Sequence, residues 1–242
     1  MAVFERLVSS TLRGRVTEKI REAILGGILK QGERIVERQL ASEFATSLTV
    51  VREALIQLEA EGFVTKKPNS TTHVTEFSRD AAQKIFSVRR VLEGFAVEEA
   101  ARLVSPEECD HIDKLYLELL NSASLNDEEL FVRFIRKDMA LHEAIWKITR
   151  NEYLESTLRR IVLPIFAFTA MRLVSRCPFD LAKDASSHLP FLEAIKNREP
   201  EAAHVYFLAA LDEWLSKTLR YVFPGDEIKT EPTALLEIQI NA

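Results

Sequence analysis

The most telling part of the chain runs from Arg34 to Val74 and reads RIVERQLASEFATSLTVVREALIQLEAEGFVTKKPNSTTHV. Its apolar residues recur at helical spacing and predict two helices, at residues 37–44 and 48–61. A turn of small residues separates them and ends at Ser47, a residue type that caps helix N-termini. Gly62 predicts the end of the second helix, because glycine readily adopts the left-handed conformation that closes helices.

Two short runs of β-forming residues follow, at 63–65 and 73–75. The connection between them holds turn-forming residues together with Lys66 and Lys67, so the runs predict a two-stranded wing with a basic turn. An apolar stripe ahead of the motif predicts one more helix, from residue 13 to about residue 28. Helix, turn, helix and wing in this order are how a protein presents one helix to the major groove of DNA.

The composition is that of a globular, mostly helical protein. Of 242 residues, 47% are hydrophobic and 29% charged, while Gly (7) and Pro (8) are scarce, which favours long helices. No apolar run approaches the ~18 uncharged residues of a membrane span, and the charged N-terminus is unlike a signal peptide. Cys109 and Cys177 lack the close spacing of a metal or redox motif and predict free or buried thiols. We therefore expect a cytoplasmic protein with no membrane partner.

The charge distribution sets a condition on DNA binding. Residues 1–77 carry 11 Lys/Arg and 10 Asp/Glu, whereas residues 78–242 carry 21 and 27, so the net charges are +1 and −6. Bulk charge therefore cannot hold the first segment on DNA, and local placement of Arg and Lys must do so. One such segment covers a single half-site, so useful affinity requires a homodimer on a palindrome. We expect domains at 1–77 and 78–224, followed by a tail at 225–242.

The sequences VREAL at residues 51–55 and LEAEG at residues 58–62 resemble the winged helix-turn-helix of the GntR family of bacterial repressors. The resemblance covers the turn, the glycine stop and the wing in the right order. It implies a DNA-binding domain at residues 1–77 and a role in repressing transcription. A helix pair inside an all-α domain is the alternative interpretation of the same pattern.

The expected DNA contacts lie on the two helices and the wing. Arg52 sits early on the second helix, where its planar guanidinium can grip a guanine edge or a phosphate. Hydroxyl groups at the start of that helix can donate to phosphates, beside the free N–H groups there. Leu48 stands where many members of the family have a second arginine, and Asn69 where the wing often has glycine. The full set of expected contacts comprises Arg38, Thr46, Ser47, Thr49, Arg52, Lys66, Lys67 and His73.

Residues 79–222 resemble the all-helical ligand-binding domain of the FadR-like branch of that family, the FCD type, through their sequences at 89–93, 138–142 and 188–195. Apolar periodicity predicts helices at residues 78–104, 106–122, 126–149, 152–175, 180–197 and 200–222. The first of these is expected to point Ile85, Val88, Leu92, Phe95 and Val97 inward. The expected fold is therefore mostly α: a winged helix-turn-helix followed by an all-α bundle that binds an effector and dimerises.

The resemblance implies binding of small metabolites, often organic acids, and of a divalent metal held by one Asp and three His. Asp138 and His142 are four residues apart on one helix face and can bind one ion, with His188 as a third ligand. Zn, Ni and Mn are the candidate ions. The position of the remaining histidine is Ala210. A hydrogen-bonded cluster in a polar pocket, without metal, is the alternative interpretation.

Other side chains near Ala210 offer substitutes for the missing ligand. His204 points about 120° away from the Ala210 direction, at roughly 100° of rotation per residue. Tyr206 and Glu213 are each about one turn from Ala210 and are expected to point toward the site. Tyr206 is also an expected effector contact.

Two further features bear on the effector. Arg89 can pair with an effector carboxylate or, equally, with Glu93 one turn further along the same helix. Phe166, Phe168 and Met171 indicate either an apolar cavity wall or plain core. Without a metal, a larger and more apolar effector such as an acyl chain becomes more plausible.

The leading hypothesis is a dimeric transcriptional regulator, a repressor in keeping with the family, whose operator binding responds to a small metabolite such as an organic acid. The sign of that response stays open. The enzyme alternative is a metal-dependent hydrolase using Asp138, His142 and His188 with a water in the open position. Glu143 points about 100° away from His142, so no placed general base is evident. A protein that kept a relic winged helix without binding DNA is the third possibility.

Overall fold

The computed structural model describes residues 12–67, 71–123, 130–173 and 180–223. Asn69, Cys177 and the tail at 225–242 lie outside these ranges, as does the side chain of Met171. Within the described ranges, no helix is both long enough and apolar enough to cross a membrane.

The N-terminal part, called the head here, comprises the described residues up to 76. Its elements are α1 (Leu12–Leu25), β1 (Arg34–Ile35), α2 (Glu37–Glu43), α3 (Leu48–Ala60), β2 (Val64–Lys67) and β3 (Thr71–Val74). Helix α3 begins and ends as predicted, since the Ser47 hydroxyl accepts a hydrogen bond from Val50 N and Gly62 has φ +81°. The buried face of α3 consists of Val51, Ala54, Leu55 and Leu58.

The wing is larger than predicted, because it contains three strands in the order β1-β3-β2, all antiparallel. The missed strand β1 places Arg34 opposite His73. Its two residues are too short to show an alternating pattern, and the strand exists because β3 supplies its hydrogen-bond partners. Gly32 N donates to Val74 O at 3.1 Å and Val74 N donates to Glu33 O at 3.0 Å.

The C-terminal part, called the body here, comprises the described residues 79–223 and is entirely helical. Its elements are α4 (Arg79–Leu103), α5 (Pro106–Ala123), α6 (Leu130–Ile148), α7 (Glu152–Leu173), α8 (Leu181–Ser186), α9 (Leu189–Lys196) and α10 (Pro200–Tyr221). The single helix predicted at residues 180–197 is wrong, since α8 and α9 replace it. Pro190 explains the break, because proline lacks an N–H group and clashes with the carbonyl four residues earlier. The break places His188 directly before α9.

Helix α4 lies at the centre of the body and contacts α6, α7, α9 and α10. Its inward face carries Arg89, Glu93 and Val97, all buried. The expectation that Val88 and Phe95 point inward is wrong, because they are 45% and 47% exposed. The other helices pack on the face that contains the two charged residues, which leaves Val88 and Phe95 outside. Val97 is buried as expected, and Ile85 and Leu92 are partly buried against the core.

The head and the body are in direct contact. Helix α1 packs against α7, and a Cβ atom on Gly62 would lie 2.7 Å from the carbonyl oxygen of Arg160 and 3.0 Å from Pro164 Cγ. Arg136 on α6 also lies 3.6 Å from the carboxylate of Glu22 on α1. The left-handed glycine that ends α3 therefore also permits a close approach between head and body.

Candidate metal centre and nucleic-acid interface

A small cavity lies between helices of the body, with a volume of about 40 Å³. Its polar lining consists of Arg89, Asp138, His142, Asp184, Ser187 and His188, and aromatic side chains supply much of the rest. A buried water needs roughly 10–15 Å³ of such space, so the cavity has room for about three waters or a ligand of similar size.

The cavity brings together the three predicted metal ligands. Asp138 and His142 come from α6 and His188 from the residue before α9, and one ligand atom of each lies within 4.8 Å of the others. His188 Nε2 is 2.9 Å from Asp138 Oδ1, and His142 Nε2 is 3.7 Å from it. Asp138 Oδ1 is nevertheless buried and makes no bond of hydrogen-bond geometry with the described residues. Two histidine nitrogens that converge on one buried carboxylate oxygen are an arrangement that suits a shared cation.

The outer nitrogen of each histidine is held in place. His142 Nδ1 lies 3.1 Å from the Glu93 carboxylate, and His188 Nδ1 lies 3.1 Å from the backbone oxygen of Asp184. Both partners only accept hydrogen bonds, so each Nδ1 carries a proton, and a ring in its neutral form presents its Nε2 lone pair toward Asp138. Two imidazole nitrogens and a carboxylate oxygen are a donor set that fits Zn, Ni or Mn.

The electrostatics also favour a cation. Burial opposes ionisation of Glu93, but the charge of Arg89 and the hydrogen bond from His142 outweigh it and lower the pKa of Glu93 to about 2. Burial likewise opposes ionisation of Asp138, and the charge of protonated His188 overcomes it, so the pKa of Asp138 is below its usual value. When both histidines are neutral, Glu93 and Asp138 face one guanidinium, which leaves one negative charge for a bound cation to neutralise.

Arg89 pairs with Glu93 and also faces the cavity, so both of its predicted roles are open to it. Its Nε donates to Glu93 Oε2 at 2.5 Å, and the side chain also lines the cavity. The guanidinium carbon lies 4.9, 5.3 and 5.1 Å from the ring centres of Phe86, Phe166 and Trp214. Its Nη1 is buried and has no hydrogen-bond partner among the described residues. An anion in the cavity would give this group its missing acceptor.

The substitutes predicted for the third histidine do not reach the cavity. The cavity face of α10 is formed by Phe207, Ala210, Leu211 and Trp214. Tyr206 is one residue, or about 100°, away from that face and is half exposed. Glu213 pairs with Lys217 at 3.0 Å instead. The expectation that both point into the site is therefore wrong, whereas Ala210 does line it.

His204 and Glu143 also lie outside the cavity lining. His204 Nδ1 lies 3.2 Å from the carbonyl oxygen of Gly94, as expected for a residue turned away from the site. Both carboxylate oxygens of Glu143 accept from Arg159, at 2.7 and 3.0 Å. Glu143 is therefore held by Arg159 and is not placed as a general base for a hydrolase.

Asp184 is a lining residue that sequence reasoning missed. It is buried in α8 and accepts a hydrogen bond from Lys217, and burial raises the pKa of its carboxyl despite that partner. Its place four residues before His188 was the available signal. Phe166 also lines the cavity, but Phe168 packs against Phe77 and Phe223 away from it.

The head presents a groove of about 450 Å³ between α3, the start of α2 and the sheet. Four cationic side chains and one acidic side chain line it: Arg34, Arg38, Arg52, Lys66 and Glu37. The groove therefore concentrates a local charge of +3 on a segment whose net charge is close to zero.

Arg52 is exposed and held by one partner. Its Nε donates to Glu37 Oε2 at 2.7 Å, and among the described residues its two terminal nitrogens have no partner. Arg38, Ser47 and Thr49 are exposed beside it. The two lysines of the wing are exposed as well, each 3.5 Å from a carboxylate oxygen, and both pairs are long enough to open.

Two expected DNA contacts have a polar group that is buried or already paired within the head. The Thr46 hydroxyl oxygen is buried and has no hydrogen-bond partner among the described residues, so it cannot reach a phosphate in this conformation. His73 lies with Nδ1 3.0 Å from Gly32 O and Nε2 3.1 Å from Thr71 Oγ1. Both ring nitrogens therefore have partners within the head.

Two family models match the chain in sequence. The FCD domain matches residues 84–212, and the family described as bacterial regulatory proteins, gntR family, matches residues 12–74. The second match covers the head from α1 to β3, and the first covers the helices that build the cavity.

Similar proteins are regulators of transcription. An uncharacterized HTH-type transcriptional regulator of Bacillus subtilis, YdhC, is 28% identical over 79% of this chain and 84% of its own length. A probable D-xylose utilization operon transcriptional repressor of Paenarthrobacter nicotinovorans is 25% identical over 84% and 86%. The fold is similar to that of E. coli McbR/YncC, with a TM-score of 0.73 at 20% identity over 86% of this chain and 96% of that chain.

Proposed function

The chain belongs to the FCD family and is a transcriptional regulator of the GntR type, not an enzyme, and we propose that it is a repressor whose operator binding is controlled by a small carboxylic acid. The observation that carries the DNA-binding half is the cationic groove with Arg52 exposed on α3. The name of the xylose-operon relative supports repression.

Arg52 is the proposed base-reading residue. Its Nε is occupied by Glu37, so its two terminal nitrogens remain to donate to one acceptor pair. Guanine presents such a pair, O6 and N7, in the major groove, and a bidentate contact of this kind discriminates by about 1–3 kcal/mol. Arg38, Ser47, Thr49 and the wing lysines then supply phosphate contacts, which position the helix without reading sequence.

The cavity is the proposed effector site. Asp138, His142 and His188 would hold a divalent metal, whose positive charge would attract a carboxylate, and Arg89 Nη1 would donate to the same anion. The cavity volume of about 40 Å³ favours an acid of a few heavy atoms, since an acyl chain would require lining side chains to move.

Helix α7 is the proposed link between effector and DNA. Phe166 on α7 lines the cavity, while Arg160 and Pro164 on the same helix contact Gly62 at the end of α3. An acid that displaces Phe166 would therefore move the helix that supports the head. In a dimer, a small rotation of each head changes the spacing of the two α3 helices and their match to the operator.

A homodimer is proposed on the exposed stripe of α4. Val88, Val91 and Phe95 share one helix face and are 45%, 68% and 47% exposed. Covering the apolar side chains of such a patch with a second copy of the chain removes them from water, which stabilises the dimer. Light scattering should report a dimer for the native chain and a monomer for Val91→Glu. Gln83→Glu, on an exposed polar position of the same helix, is the matched control and should stay dimeric.

The effector proposal is tested by operator binding measured as fluorescence anisotropy, with zinc present and a panel of two- to four-carbon acids. At least one acid should change the affinity several-fold, and Arg89→Lys, which keeps the charge but loses the planar fork, should abolish the response and retain DNA binding. If no acid in the panel changes either operator affinity or melting temperature, the effector proposal is wrong.

The metal is tested separately, on protein purified without chelator. Elemental analysis should find Zn, Ni or Mn near one equivalent in the native chain. Asp138→Ala should hold little metal, because the substitution removes one of the three ligands. Less than roughly a tenth of an equivalent in the native chain, with no increase on adding metal, would refute the site.

A further inference from the structure

The groove of the head has an apolar component that the contacts above do not use. Leu48 and Ile56 lie one turn before and one turn after Arg52 on α3, and all three line the groove. Ile56 is 56% exposed, and Leu48 is partly exposed. Both apolar groups lie inside the cationic groove, so a ligand that fills the groove would cover them.

Leu48 occupies the position on α3 that first meets a duplex. It is the first residue of the helix, and recognition helices contact base edges with their N-terminal residues. Four residues of helix advance about 6 Å along the axis. Base pairs are stacked about 3.4 Å apart, so Leu48 is offset from Arg52 by one or two base pairs.

The chemistry of the major groove leaves one partner for a leucine at that position. Leucine can neither donate nor accept a hydrogen bond, and phosphates and most base edges offer only polar atoms. The exception is the C5-methyl group of thymine, which accepts apolar contacts. The charge of the groove, four cations against one carboxylate, selects a polyanion over a protein partner with an apolar face.

We propose that Leu48 reads a thymine methyl group one or two base pairs from the guanine bound by Arg52, and so specifies an A·T pair at that position of each half-site. This rests on the proposed DNA-binding function. The assignment makes Leu48 a specificity-determining residue: it replaces hydrogen bonding by van der Waals contact with one methyl group.

The experiment replaces thymines of the selected operator one at a time by deoxyuridine, which removes only the methyl group. Burying a methyl-sized group is worth about a fourfold change in affinity, so one position per half-site should cost the native protein about fourfold, and the symmetric double replacement about 16-fold. Leu48→Ala should bind the thymine and deoxyuridine duplexes equally at that position. Ile28→Ala, at an exposed apolar residue of the head outside the groove, is the control and should keep the native discrimination there.

The outcomes separate this inference from the function on which it rests. If the native protein selects no DNA sequence, the DNA-binding proposal is wrong and the inference falls with it. If the protein selects an operator but binds every deoxyuridine duplex as tightly as the parent, the inference alone is overturned. Retained discrimination in Leu48→Ala would overturn it too, and the deoxyuridine series on the native chain decides the matter even if that variant folds poorly.

Discussion

Replacing Gly62 by alanine tests the contact between head and body, through which the effector signal is proposed to pass. Gly62 ends α3 with φ +81°, and a Cβ there would lie 2.7 Å from a backbone oxygen of α7 and 3.0 Å from Pro164. Neither neighbour is the tip of a flexible side chain. The substitution must therefore strain the turn and push α7 away from the head.

The loss of unfolding free energy has two parts, backbone strain and overpacking, and Gly32→Ala separates them. Gly32 also has a left-handed conformation, φ +70°, but its added Cβ would meet only the exposed carboxylate of Glu76, which can swing aside. A left-handed alanine costs roughly 1–2 kcal/mol, partly offset by the less flexible unfolded chain. Overpacking against backbone adds roughly 1–3 kcal/mol at Gly62 alone.

Urea unfolding followed by circular dichroism measures both variants against the native chain. Gly62→Ala should lower the unfolding free energy by about 1–3 kcal/mol more than Gly32→Ala does. Two variants that agree within about 0.5 kcal/mol would show that head and body do not pack at Gly62 as described, and the proposed route through α7 would lose its support.

Four further results are expected. Glu93→Ala leaves Arg89 buried without its carboxylate and should cost about 3–5 kcal/mol of unfolding free energy, against less than about 1 kcal/mol for Glu98→Ala at the surface pair with Arg102. The pKa of Glu93 is about 2 in the fold and 4.5 ordinarily, so its contribution to stability is complete above pH 4.5 and is lost as the pH falls toward 2. Urea titrations across that range should show that the unfolding free energy falls less steeply with pH in Glu93→Gln than in the native chain. His73→Ala should weaken the sheet by roughly 1 kcal/mol in urea titration, with operator affinity changed less than about twofold in anisotropy. Arg52→Ala should lower operator affinity by about 1–3 kcal/mol in gel shifts while the urea midpoint stays unchanged, and equal retardation of operator DNA would show Arg52 to be misassigned.

Local signals made most of the head predictable. Ser47 and Gly62 mark the ends of α3 through hydrogen bonding and backbone conformation that involve only neighbouring residues. Strand β1 escaped prediction because its pairing with β3 joins residues about 40 positions apart. The orientation of His73 depends on Gly32, which is also about 40 positions away, and this explains why His73 was expected at the DNA surface.

In the body, the sequence indicated the metal ligands but not everything around them. The four-residue spacing of Asp138 and His142 is local, and the resemblance added His188. The rotation of α10 is set by packing against α4 and α9, so its sequence alone could not show that Ala210 faces the cavity and Tyr206 does not. The break at Pro190 was readable from the sequence, since proline cannot continue a helix that already has a preceding turn.

Selection of genomic DNA fragments by the purified native chain tests the central claim most directly. We expect the retained fragments to share one inverted repeat, with a guanine in each half-site protected by the bound protein, because two copies of α3 read the two halves. Fragments that share no sequence, or retention that disappears at physiological salt with no preferred site, would contradict the claim that this chain regulates transcription through its head.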